Sequence, residues 1–138
     1  LSTTLEDFTK FFEALIKSKG LSKKSFKEMT RTQVRIKSRS QFGPLAKIDS
    51  TDNDNIQLGY GLGIGVFKTP YGRAFFKEGH DDGWGHYSIC FPDKKIAIVI
   101  MTNNDNGESI FKELLAYSIG ATFTPWRWEN YIPYDETN

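Results

Sequence analysis

The order of helical and strand patterns along this chain predicts an α+β fold. Three observations carry it: an apolar face at three-and-four spacing near the start, two β-branched or aromatic runs joined by a short polar turn, and a second amphipathic helix after them. The expected architecture is two N-terminal helices, an antiparallel sheet of three to four strands, and a C-terminal helix packed on one sheet face. A single domain spans residues 1–138, with a loop at 37–57 and an extended aromatic tail at 121–138.

Thr3-x-x-Glu6 spells a capping box, and Leu5, Phe8, Phe11, Phe12, Leu15 and Ile16 form one apolar face before a stop at Gly20. Ser22 or Ser25 opens a second, shorter helix through Phe26 and Met29, whose Lys23, Lys24, Lys27 and Arg31 form a solvated face. The hydrophilic stretch that follows is broken at Gly43-Pro44 and ends in Asp49-Ser50-Thr51-Asp52-Asn53-Asp54-Asn55. These acids do not make a calcium loop: counted from Asp52, Gln57 stands where a sharp turn needs Gly, and Gly63 where a bidentate Glu is needed.

In Tyr60 to Phe67 glycine alternates with large residues. A strand there would present Gly61, Gly63 and Gly65 on one face, open to close approach by a helix or a bulky aromatic. It is no dinucleotide fingerprint, because a turn at Phe67-Lys68-Thr69-Pro70-Tyr71-Gly72 follows it instead of a helix start. Arg73 to His80 forms the next strand. Tyr87 to Phe91 and Ile96 to Met101 then flank Pro92-Asp93-Lys94-Lys95, a polar hairpin turn. Apolar at every position, Ile96 to Met101 reads as a strand covered on both faces or near the sheet centre. Asn103-Asn104-Asp105-Asn106-Gly107 ends it, Asn106 caps a helix carrying Ile110, Phe111, Leu114, Leu115 and Ile119, and Gly120 stops that helix.

Composition excludes several function classes. With 38% hydrophobic and 14% aromatic residues the chain is not disordered. Its 18 basic and 17 acidic residues leave a net charge of +1, which points to no nucleic acid and no anionic membrane surface. No apolar run reaches the ~20 residues of a membrane span. Leu1 stands where a start Met would, so the lack of a signal peptide leaves the compartment unknown. Cys90, the one cysteine, sits between Ile89 and Phe91, which excludes an internal disulfide and marks a core residue, since an apolar strand raises a thiol pKa.

Four words in order resemble the serine β-lactamase and penicillin-binding-protein-like hydrolases, the class C-like group that includes esterases and peptidases. Leu1 to Phe8 is similar to the family's helix start, and Tyr60-Gly61-Leu62-Gly63-Ile64-Gly65 to its "YGLGW" strand. Gly79-His80 sits where the family carries Lys or His, and Val99-Ile100-Met101-Thr102-Asn103 matches the strand ending in "TN". The resemblance covers most of the chain and implies a partial β-lactamase/transpeptidase-like fold, a C-terminal fragment of a larger hydrolase. It implies acyl transfer to water from an amide, ester or lactam, no cofactor, and a periplasmic or secreted protein.

By that resemblance His80 lines the active cleft, touching the substrate's polar group or sharing protons with a Ser-Lys-Tyr centre. A backbone N–H just beyond it, by counting that of Gly83, completes the oxyanion hole, a contribution of ~3–4 kcal/mol to transition-state stability. Asp82 and Trp84 would face the substrate. Asp81 and Asp82 depart from the small residue and Gly of the pattern, and two carboxylates beside an anionic intermediate oppose it, which argues against β-lactam turnover.

The family's Tyr-x-Asn word is absent. Ser-x-x-Lys occurs once, as Ser109-Ile110-Phe111-Lys112, one helical turn apart as a nucleophile and base require, but after the His strand and not before it. A helix first turn favours such residues for capping alone. The implied partners are therefore an N-terminal portion of the same protein carrying the nucleophile, and a small-molecule or peptide substrate. The fragment by itself should be inactive. Two other roles for these residues stand beside that one: His80 and His86 with Asp81 and Asp82 as metal ligands, lacking any supporting Cys pattern, and structural histidines satisfied by carbonyls. A non-catalytic binding or interaction domain that kept the fold is the alternative function.

Overall fold

A computed structural model describes residues 3–136. Leu1-Ser2, the first two letters of the helix-start word, and the last two residues of the tail lie outside the described residues.

Helix α1 spans Leu5–Ile16. Thr4, not Thr3, is its N-cap, and its hydroxyl accepts the Asp7 N–H at 3.2 Å. The helix ends short of Gly20 because Ser18 already takes a left-handed φ of 51°. Helix α2, Lys23–Thr30, is capped by Ser22, whose Oγ accepts the Ser25 N–H at 3.0 Å.

Among the described residues the sheet has six antiparallel strands where three to four were expected: β1 Val34–Arg35, β2 Gly59–Tyr60, β3 Gly65–Thr69, β4 Gly72–Asp81, β5 Trp84–Phe91 and β6 Ile96–Thr102, in chain order. Two of the added strands are only two residues long, too short to show a period. Gly61 to Ile64 is not part of one continuous strand. The Gly61 N–H donates to the Ile64 carbonyl at 2.8 Å and Gly63 has a φ of +78°, so the glycines close a turn between β2 and β3. The bare face survives at Gly65. There the Phe76 ring covers the backbone so closely that an added Cβ would lie 2.1 Å from it.

Both sheet faces are covered. On one, Phe12 and Leu15 of α1 pack on Val66, Phe75 and Cys90, with Ala97 and Val99 alongside. On the other, Phe67, Phe76, Tyr87, Ile89 and Phe91 meet Phe111 and Leu115 of helix α3, Phe111–Ile119, with Ile98 and Ile100 alongside. This double cover explains the unbroken apolar run of β6, since both of its side-chain rows meet a helix layer. Its place in the sheet is the end of the order, not the centre. Asn106 precedes a 3-10 turn at Gly107–Ile110 that leads into α3, and its side chain makes no cap bond; Gly120 ends α3 with a φ of +83°.

Residues 121–136 lie on the face opposite α1. They include helix α4, Trp126–Glu129, and bury Trp128, Glu129 and Tyr131. Trp128 Nε1 donates to Ser38 Oγ at 3.1 Å, and the Gln41 N–H donates to the Trp128 carbonyl at 2.8 Å. The 37–57 stretch, with its 3-10 turn at Pro44–Lys47 and a Ser38–Asp49 bridge, is thereby held against the tail.

Candidate functional site

β4 and β5 are joined by a two-residue turn, Asp82-Gly83, with Gly83 at a φ of +85°. The register pairs Glu78 with Tyr87, Gly79 with His86, His80 with Gly85, and Asp81 with Trp84. Because side chains alternate, Glu78 and His80 share the face of Phe76 and the α3 layer, while His86 and Trp84 share the other. Trp84 stacks on His86 at 4.7 Å between ring centroids.

The hairpin tip from His80 to Trp84 is exposed. His80 lies 5.7 Å from the Tyr131 ring. Its neighbour across the ladder, Gly85, carries no side chain, and an added Cβ would come within 2.8 Å of Glu108 Oε2, so that carboxylate occupies the space beside His80. His80 and His86 therefore do not share a face, which separates them as ligands of one ion, and among the described residues no group of three or more His, Cys, Asp or Glu side chains could hold a metal. Trp84 likewise stands on the face away from His80.

The Gly83 N–H, the expected oxyanion donor, donates to Asp105 Oδ1 in the loop after β6. Asp81 Oδ1 accepts the Asp82 N–H at 2.9 Å, folding its carboxylate over the turn. The tip is therefore ringed by acids, and the Gly83 N–H already has a carboxylate partner.

Beneath the tip lies a buried polar cluster. Glu78 Oε1 accepts from Tyr60 Oη at 2.9 Å and from Gln41 Nε2 at 2.7 Å. Glu129 is fully buried and accepts weakly from Tyr87 Oη at 3.4 Å. Among the described residues, the second oxygens of Glu78, Glu108 and Glu129 have no hydrogen-bond partner. Burial, then the nearby Glu78 charge, pushes the Glu129 carboxyl well above the usual range; burial likewise raises Tyr60 and Tyr131. Tyr131 Oη accepts the Gly79 N–H at 3.1 Å and donates to the His86 carbonyl at 3.2 Å, bridging the two strands at one ladder pair.

Ser109 and Lys112 do not form a working pair. Ser109 Oγ donates to the Asn106 carbonyl at 2.7 Å, and Lys112 pairs with Glu136, which raises the ammonium pKa. A lysine held charged cannot take a proton from a hydroxyl. Cys90 is buried and its thiol is raised by desolvation, so it is a packed core residue.

Sequence reasoning reached His80, Asp82, Gly83 and Trp84 but missed Glu78, Asp105, Glu108 and Tyr131. Glu78 was within reach, two positions before His80 on a strand and hence on its face. Tyr131 and Asp105 had no local signal, because distant folding brings them to the hairpin.

The Beta-lactamase family model matches residues 1–120. The chain belongs to the Beta-lactamase family. Among solved structures, the octameric penicillin-binding protein homologue from Pyrococcus abyssi is similar, at a TM-score of 0.61 and 18% identity. That likeness covers 92% of this chain and 26% of the other, so this chain spans about a quarter of that protein's length. It shows a shared fold. No match was found among curated proteins. Among the described residues, no helix is long and apolar enough to cross a membrane.

Proposed function

We propose that this chain is the C-terminal portion of a β-lactamase-related serine hydrolase and supplies the His80 wall of its acyl-transfer cleft. The nucleophile comes from an N-terminal portion of the same protein. The observation that carries this reading is the exposed His80 at the end of the β4–β5 hairpin, in a Beta-lactamase domain whose one Ser-x-x-Lys word is engaged elsewhere. In the reaction, a serine attacks an amide, ester or lactam carbonyl, an acyl-enzyme forms, and water releases it. His80 would hold or pass a proton at the substrate's polar group. The Gly83 N–H serves as oxyanion donor only once Asp105 has moved off it.

The outer edge of β6 supports a partner of this kind. Its backbone pairs with no strand among the described residues, while its side chains are half-buried on both faces. An apolar edge of that length is a template for another strand.

A second reading, a binding domain that kept the fold without the chemistry, is favoured by the Asp105 carboxylate on the Gly83 N–H. Adding a separately expressed N-terminal portion separates the two. Restored hydrolysis of a simple aryl ester, lost again in His80→Ala by ~10²-fold or more, supports the enzyme. Ligand binding with no turnover supports the binding domain.

A further inference from the structure

The residues after 120 lie outside the family match, yet they reach the hairpin that carries His80. Tyr131 follows Asn130, the C-cap of α4, and its ring is held between Tyr87 at 6.2 Å and Phe111 at 5.8 Å, both buried. The Tyr131 N–H donates to the Trp126 carbonyl at 3.0 Å, so the turn of α4 fixes where the ring stands. From that seat the hydroxyl makes two bonds, accepting from Gly79 and donating to the carbonyl of His86. One hydroxyl has one proton to give and two lone pairs, so both bonds are satisfied at once.

We infer that Tyr131 is a positioning residue for His80: its hydroxyl ties β4 to β5 at the Gly79–His86 pair and thereby sets where the next residue, His80, stands at the cleft wall. The inference rests on the function proposed above. The clamp lies one residue from His80 and on the buried side of its strand pair, with the Tyr131 ring against the imidazole. Beyond it in the β4–β5 ladder lie the His80–Gly85 and Asp81–Trp84 pairs and the turn, so the clamp holds the last pair before His80. The clamp comes from the tail, so the orientation of His80 depends on docking of residues 121–136.

The test is Tyr131→Phe, which removes the hydroxyl and leaves the ring in its seat. Amide hydrogen exchange and the His80 ring resonances are recorded on this chain, and hydrolysis is measured after assembly with the N-terminal portion. Exchange should quicken at Gly79 by about tenfold, the size of one lost net hydrogen bond, and stay unchanged in β3. The His80 resonances should move, and kcat should fall with KM unchanged. Phe12→Leu, on the opposite face, is the control that lowers overall stability without touching the hairpin. Unaltered exchange at Gly79, a rise spread evenly as in that control, or an unchanged kcat each overturns the inference. If wild-type assembly restores no hydrolysis, the proposed function falls, and the exchange and His80 resonances alone decide the role of Tyr131.

Discussion

Tyr87 donates its hydroxyl to Glu129 across 3.4 Å inside the core, and both side chains are almost wholly removed from solvent. The other Glu129 oxygen has no hydrogen-bond partner among the described residues. A long single bond cannot offset the desolvation of a carboxylate, so burial favours the protonated form and raises the Glu129 pKa in the folded state.

Stability should therefore fall as the pH rises. The folded-state pKa of Glu129 lies above its ordinary value of 4.5, so its contribution is fully present below that value and is lost as pH climbs toward the folded pKa. Glu129→Gln has no proton to lose, and it should be more stable than the parent chain by about 1–3 kcal/mol above neutrality, with the gap closing toward pH 4. Denaturant midpoints measured from pH 4 to 9 check this. Parallel pH profiles for the two proteins would refute it.

Gly65→Ala should destabilise the fold by about 1–3 kcal/mol, because the new methyl would drive into the Phe76 ring at the heart of the sheet. Phe76→Leu in the same background should recover part of the loss. A Gly65→Ala chain as stable as the parent in urea would show that the ring relaxes freely.

A fluorophosphonate probe should leave the intact mass of the chain unchanged. The Ser109 hydroxyl donates to a carbonyl and Lys112 is held as a charged partner of Glu136, so neither can activate the other. An adduct mapped to Ser109 would make the chain a self-contained serine hydrolase and remove the need for a missing portion.

Asp105→Ala should free the Gly83 N–H and speed its amide exchange by about tenfold, since the lost bond is charge-assisted. In the assembled enzyme the same change should raise ester turnover if Gly83 is the oxyanion donor. Faster exchange at Gly83 with no gain in turnover would assign the oxyanion donor elsewhere.

Much of the chain was legible from residue types. The spacing of Phe8, Phe12, Leu15 and Ile16 marked α1, and Pro92 to Lys95 marked the β5–β6 turn, because both depend on neighbours within a few residues. Thr4 displaced Thr3 as cap, and Gly61 and Gly63 made a turn where alternation suggested a strand. Each of those differences was decided by a backbone angle or a single bond that the letters leave open. β1 and β2 pair two residues each and carry no period to read.

Sequence alone determined the helix faces, the main strands, the family and the candidate His80, since local periodicity and ordered words are properties of neighbouring residues. Tertiary structure alone decided what surrounds that histidine. Tyr131 arrives from 51 positions along the chain after His80, Asp105 reaches back to Gly83 from beyond β6, and Glu108 fills the space over Gly85. Long-range contacts are set by how two covered faces close around one sheet, a balance over the whole core that no single segment encodes.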